Sequence, residues 1–373
     1  LVMPGYYEKR SFEMGDYFGI FKDNKLVAIS GQRMQSNHWT EISAVVTHPD
    51  YTRQGLSKQL VAHTTKEILK QNKKPILHTN KGNPAIKLYE KLGFTTWDLA
   101  DIYGPAESLI GGFSKKIKQK FQAFTKFVPN PGPMSNSIVT YYIDESLKKM
   151  NVDCIDLLQF HWWDYQDSSY LDALQHLSKL QNEGKIKHLG LTNFDTKRIK
   201  IIIEKGFKII SNQVQYSILD QRPEKIMVPF FIKHEIQIIT YGTLLGGFFS
   251  EKYLNTDEPT RADLTTASLQ KYKNMIDMWG GWQLFQELLE VLNNIAKKHD
   301  CSIANIATKF ILDKPQVAGV IIGARLGITD HIIDNSKVFD LKIEQDDISL
   351  ISTVTAKAND LFDAIGDCGD EYR

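Results

Sequence analysis

The chain has 373 residues, 42% of them apolar, which suffices for two ordinary domains or for one barrel with an appendage. With 45 Lys and Arg against 44 Asp and Glu it carries no net field to draw in nucleic acid or an anionic membrane surface. Cys154, Cys301 and Cys368 show no CxxC or CxxH spacing, which speaks against a disulfide framework or a metal site and for a reducing, cytoplasmic compartment.

In chain order, the first elements are a strand pair, 17–21 and 26–32, around the turn Asp23-Asn24-Lys25. A strand at 41–47, a loop at 48–55, a helix at 56–70, a strand at 75–79 and a helix at 84–92 follow, which together make a mixed α/β piece. The chain starts at Leu1 with no signal-peptide pattern, as a fragment or an upstream-truncated sequence would. From residue 95 onward, short apolar strands alternate with amphipathic helices, the pattern of a parallel sheet with crossover helices. The strands fall at 95–101, 121–127, 154–162, 186–194, 209–217, 236–242 and 317–324. Among the helices, 168–183 sets Leu171, Leu174, Leu177 and Leu180 at three-residue spacing. Each strand is followed by a helical candidate; two further helices, 282–298 and 303–312, lie between the sixth and seventh units, and another follows Glu344. Seven β/α units are one short of a closed barrel. Nowhere does an apolar run reach the roughly 18 residues of a membrane helix.

In a β/α barrel the chemistry collects at the carboxyl ends of the strands. The first strand carries Asp98 and the loop after it Tyr103, Lys126 ends the second and His161 closes the third. Any one of these alone reads as structure, an Asp98–Lys126 ion pair or a core histidine; four at corresponding strand ends read as a site. They could protonate a carbonyl oxygen while a hydride reaches its carbon. Lys126 would favour the Tyr103 phenolate and so lower the tyrosine's pKa, Asp98 would anchor the lysine, and His161 would orient the carbonyl. No side chain supplies a hydride, so a cofactor must. Trp162 and Trp163 could wall an aromatic substrate pocket.

These residues, in Asp98-Leu99-Ala100-Asp101-Ile102-Tyr103-Gly104, Thr125-Lys126, Gln159-Phe160-His161-Trp162-Trp163, Gly190-Leu191-Thr192-Asn193 and Asn212-Gln213-Val214-Gln215-Tyr216, resemble the aldo/keto reductases from about Gly93 to the end. The resemblance implies a (β/α)8-type TIM barrel, here lacking its own first β/α unit, with Tyr103 as general acid. It places Thr192, Asn193 and Gln213 on the nicotinamide carboxamide and stacks Tyr241 on the nicotinamide ring, where a core aromatic is the plainer alternative. Gly242 and Leu244 fall in a pyrophosphate-covering loop. The adenine end falls at Gly323, Arg325, His331 and Asn335, in a stretch about two residues longer than the family's, with His331 where arginine or glutamine is common. Arg325 favours NADP over NAD.

The first 94 residues carry a second resemblance. Glu41 to Ser57, with Thr52-Arg53-Gln54-Gly55-Leu56-Ser57 leading into a helix, and Asn83 to Phe94 are similar to the GNAT N-acetyltransferases, without that family's first strand and helices or its last strands. The resemblance implies a truncated α/β domain with acetyl-CoA against Val45, Val46, Arg53, Gln54, Gly55 and Ser57, Asn83 nearby, Glu41 as base and Tyr89 as acid. The two resemblances meet at Leu92-Gly93-Phe94-Thr95, dividing the chain into 1–94 and 95–373; a natural fusion or a misjoined gene model would produce the same seam. Three functions follow: an NADP-dependent reductase of a small carbonyl compound, a bifunctional reductase and acetyltransferase, or a non-catalytic NADP-binding protein. Both resemblances claim the unit 75–92. Its match favours the acetyltransferase side, where strand 75–79 pairs with 41–47; hydrogen bonds to 317–324 would instead close the barrel.

Overall fold

The computed structural model describes residues 16–23, 25–35, 39–51, 54, 56–71, 74–77, 96–114, 122–323 and 331–372. The chain divides into two compact units, Leu1–Lys91 with Leu326–Thr329, and Leu92–Arg325 with Asp330–Arg373.

In the first unit, β1 (Tyr17–Lys22) pairs antiparallel with β2 (Lys25–Gln35), and β2 with β3 (Trp39–Thr47). Asp23 adopts the left-handed φ of 50° that the tight turn requires. Helix α1 (Leu56–Lys70) buries Leu56 and Leu60 against Val27 and Ala28. The decisive pairing is that of β4 (Lys74–Leu77): it runs parallel to β3, with Glu41 opposite Ile76 and Ile42 opposite Leu77. The disputed strand therefore belongs to the small sheet, as its sequence match favoured. The helix expected at 84–92 lies outside the described residues.

The second unit holds a seven-stranded parallel sheet. Its strands are β5 (Thr96–Asp98), β6 (Gln122–Phe127), β7 (Ile155–Phe160), β8 (Ile186–Thr192), β9 (Ser211–Gln215), β10 (Gln237–Tyr241) and β11 (Val317–Val320), hydrogen-bonded in sequence order. The sheet is curled. Asp98 on β5 and Gln213 on β9 lie four strands apart in that order, yet Gln213 Nε2 is 3.0 Å from Asp98 Oδ1. A flat sheet would hold them about 19 Å apart at ~4.8 Å per strand. Among the described residues β5 and β11 end the order without pairing to each other, so this is a barrel-type sheet of seven strands.

Helices cover the outside: α2 (Ala106–Ser114), α3 (Asn136–Met150), α4 (Tyr170–Asn182), α5 (Thr196–Glu204) and α6 (Met227–His234). On α4 the leucine row is buried at Leu174, Leu177 and Leu180 and half-buried at Leu171. Three helices separate β10 from β11, the sixth unit's own and the two further ones expected: α7 (Ala267–Trp279), α8 (Gly281–Lys298) and α9 (Ile303–Leu312). The first of them, α7, whose bounds the sequence pattern leaves open, is fixed by Thr266 Oγ1 capping Leu269 N and by burial of Tyr272, Met275, Ile276 and Trp279 at helical spacing. The short α10 (Ile332–Ser336), α11 (Gln345–Thr355) and α12 (Leu361–Ile365) complete the unit. The chain end is pinned by Arg222, wholly buried, which grips Asp220 with two parallel hydrogen bonds (2.8 and 2.9 Å) and reaches Glu371 at 3.0 Å. No described helix is long and apolar enough to cross a membrane.

The observed strands stop short of the expected carboxyl ends, β5 at Asp98 and β8 at Thr192. A few backbone hydrogen bonds to the neighbouring strand continue past those points, from Leu99 N to the Phe124 carbonyl (2.9 Å), Asp101 N to the Lys126 carbonyl (3.1 Å) and Asn193 N to the Gln213 carbonyl (2.9 Å), before the chain turns; Asn193 has φ 55° and Gly242, after β10, φ 71°. Residues that face a site from a strand end do so because the strand has stopped.

Candidate active site

Asp98 is the hub. One carboxylate oxygen accepts from the Lys126 ammonium, and the other from Gln159 Nε2 at 2.6 Å and Gln213 Nε2 at 3.0 Å. Lys126 also donates to the Leu99 carbonyl at 2.9 Å. Gln159 was not among the residues singled out from sequence; it lies opposite Lys126 in the β6–β7 register and two residues before His161, on the same strand face. Lys126 is only 4% exposed, and burial pulls its pKa down while the Asp98 carboxylate pushes it back up. Its ammonium sits 5.3 Å from the centroid of the Tyr103 ring. Tyr103 itself is 54% exposed, in the turn before α2, so its hydroxyl can meet a dissolved substrate while a buried cation stands beside the ring.

His161 lies one residue past β7 and is buried, its Nδ1 3.0 Å from the Thr192 carbonyl oxygen. A carbonyl only accepts, so Nδ1 carries the hydrogen, and donation from Nε2 then requires the doubly protonated ring. The two tryptophans part company. Trp162 is fully buried and donates Nε1–H to the carbonyls of Asp164 (2.7 Å) and Asp167 (2.9 Å), which makes it packing rather than pocket wall. Trp163, 40% exposed, meets the His161 ring edge-on at 4.3 Å and alone of the pair is open to solvent beside that residue.

Around this cluster stand the expected cofactor residues. Thr192 Oγ1 donates to the Gln213 carbonyl at 3.2 Å, and the half-buried Tyr241 donates its hydroxyl to Asn193 Oδ1 at 2.8 Å. The loop after β10 runs through left-handed backbone at Gly242, Leu245, Gly246 and Gly247, with Leu244 half-buried between. The donor set fits a nicotinamide: two primary amides and a hydroxyl at neighbouring strand ends suit a carboxamide, and Tyr241 offers a ring face. Farther out, Gly323 and His331 are exposed and Asn335 is half-buried in α10, while Arg325 lies outside the described residues.

In the first unit, Val45, Val46 and Glu41 lie on β3, and Ser57 opens α1. Gln54 is exposed and accepts from Lys22 Nζ at 2.8 Å. Arg53, Gly55, Asn83 and Tyr89 lie outside the described residues.

Asp101, two residues before Tyr103, has its pKa pushed up to about 6 by burial, with the Val128 N–H at 3.2 Å opposing and the Glu107 carboxylate adding. Its Oδ1 is buried, with no hydrogen-bond partner of ordinary geometry among the described residues. A carboxyl whose folded pKa is raised stabilises the fold less as pH climbs from its ordinary value of 3.8 through about 6. Asp101→Asn should therefore raise stability at pH above about 7 by about 1–2 kcal/mol, solvent screening included, and lose that advantage below about pH 4. Thermal unfolding of both proteins across that range checks it; a gain that grows toward acid pH would contradict it.

Residues 71–356 match the model of the aldo/keto reductase family, and residues 17–100 match that of the FR47-like proteins. The chain belongs to the aldo/keto reductase family of oxidoreductases, and it carries an FR47-like, GNAT-like domain at its N-terminal side. The reductase match begins upstream of Gly93, so the two models overlap over the segment that holds β4. Among relatives, the flagellar radial spoke protein 5 of Chlamydomonas reinhardtii is 28% identical over 177 residues, 43% of this chain and 33% of that protein. Protein tas of Escherichia coli is 27% identical over 233 residues, 57% of this chain and 65% of its own length. The match thus spans a third and just under two thirds of these relatives. In fold, the glycerol dehydrogenase AKR11B4 of Gluconobacter oxydans is similar with a TM-score of 0.63 at 20% identity, over 73% of this chain and 84% of that one. An aldo/keto reductase of Klebsiella pneumoniae in complex with NADP and acetate gives a TM-score of 0.55 at 18% identity, covering 73% and 83%.

Proposed function

We propose that this protein reduces an aldehyde or ketone with NADPH, with Tyr103 as the general acid. The observation that carries the reading is the buried Lys126 ammonium, anchored by Asp98 and seated against the exposed Tyr103 ring. Tyr103 gives its phenolic proton to the carbonyl oxygen, and Lys126 stabilises the phenolate left behind. Asp98 holds the lysine charged despite its burial, and Gln159 and Gln213 hold Asp98. His161 orients the carbonyl oxygen from its Nε2 side when doubly protonated. Thr192, Asn193 and Gln213 would hold a nicotinamide against the Tyr241 ring, and that group would supply the hydride when bound.

On this reading residues 95–373 form the reductase, and residues 1–94 a partial acetyltransferase-like domain with an acetyl-CoA loop but no turnover of its own. The setting is cytoplasmic, in keeping with three free thiols. The test is loss of dihydronicotinamide absorbance when the full chain meets NADPH and a series of small aldehydes and ketones; failure to bind either nicotinamide cofactor overturns the proposal. Preference for NADP is assigned to Arg325 through a charge-assisted contact with the 2′-phosphate. Arg325→Ala should raise KM for NADPH about tenfold and leave KM for NADH unchanged. Equal losses with both cofactors would remove Arg325 from the site.

A further inference from the structure

Helix α7 brings a second cation to the proposed cofactor platform. Lys271 Nζ lies 5.6 Å from the centroid of the Tyr241 ring and 5.6 Å from that of Tyr272, within the range of a cation–π contact. Its place is fixed by packing on the loop after β10. A Cβ on Gly242 would come within 2.3 Å of Tyr272 Oη, and one on Gly246 within 2.9 Å of Ser268 Oγ, so α7 lies as close to that loop as glycine permits. Tyr272 is buried, and Tyr241 is tethered through its hydroxyl to Asn193 Oδ1 at 2.8 Å. The lysine and the ring therefore face each other across two anchored elements.

An aromatic ring that already holds an ammonium is a poorer platform for a second cation than for a neutral ring. The two redox forms of nicotinamide differ in just this respect, the oxidised ring being a pyridinium and the reduced one neutral. We propose that Lys271 determines redox-state specificity, disfavouring oxidised cofactor relative to reduced cofactor on Tyr241, so that the site fills with reduced cofactor and releases the oxidised form more readily. The inference rests on the reading of Tyr241 as the nicotinamide platform. It goes beyond that reading by giving a residue outside the strand ends a charge-selective task.

Binding, not turnover, tests it. Dissociation constants of NADP⁺ and NADPH are measured by fluorescence titration on the full chain, for the native protein and for Lys271→Met, Lys271→Arg and Tyr241→Leu. Lys271→Met should tighten NADP⁺ about three- to tenfold, the scale of one cation–π contact, and move NADPH less than about twofold. Lys271→Arg keeps the charge and should keep the native ratio. If Lys271→Met shifts both forms equally, or weakens both as loss of a phosphate contact would, the inference is overturned. Tyr241→Leu separates the two layers. Where it weakens both forms and Lys271→Met leaves their ratio unchanged, the inference alone falls; where it changes neither, the platform reading falls with it.

Discussion

Replacing Tyr103 with phenylalanine should lower the turnover number by about 10²–10⁴ and leave the fold unchanged, the range expected when a general acid is removed. The substitution deletes one hydroxyl from a ring that is 54% exposed, and no carbon framework is removed from the core. The phenyl ring can still sit beside Lys126, whose ammonium lies 5.3 Å from the ring centroid, so the lysine keeps its neighbour. What goes is the only proton the proposed mechanism can deliver to the carbonyl oxygen. Single-turnover reduction with saturating NADPH isolates that step from cofactor release, and the melting temperature verifies the fold. A Tyr103→Phe protein that turns over at the native rate would end the assignment of Tyr103.

Sequence made the strand-end residues legible because each breaks a local rule. Lys126 is an ionisable residue in an apolar strand, and Asp98 and His161 punctuate two others. Gln159 broke no such rule, being an uncharged residue inside Leu157-Leu158-Gln159-Phe160, and its role appears only when the register sets it opposite Lys126. The period of two from His161 was the available signal. The bounds of helix α7 are not legible for a different reason. Thr266 caps it and Tyr272, Met275, Ile276 and Trp279 mark its buried face, but its Lys- and Asn-containing outer face dilutes the apolar pattern. Trp162 and Trp163 could not be told apart in sequence, since one residue's shift at a strand end sends neighbours to opposite sides. Placement of β4 turned on partner choice between two sheets, a long-range property that local propensity does not carry.

Asp98→Ala should destabilise the protein by about 3–5 kcal/mol, the cost of leaving a buried charge without its ion-pair partner. Lys126 is 4% exposed, and the same carboxylate also accepts from Gln159 and Gln213, so one substitution strips an acceptor from three strands. The pH dependence has a definite sign. Burial already lowers the lysine's pKa from 10.5, and Asp98 is the first of the groups that raise it. Without Asp98 the folded state releases that proton more readily than the unfolded chain does. Stability then increases with pH across the window between the two pKa values, because the unfolded state binds more protons there. The deficit against the native protein should accordingly be larger near about pH 6 than near about pH 9. Urea unfolding at both values reads it. The double variant Asp98→Ala/Lys126→Met removes the orphaned ammonium and should recover most of the loss, although it cannot support catalysis. If instead the two substitutions add, with the double variant less stable than Asp98→Ala alone, then the pair is not coupled and the carboxylate holds the barrel through its glutamine partners.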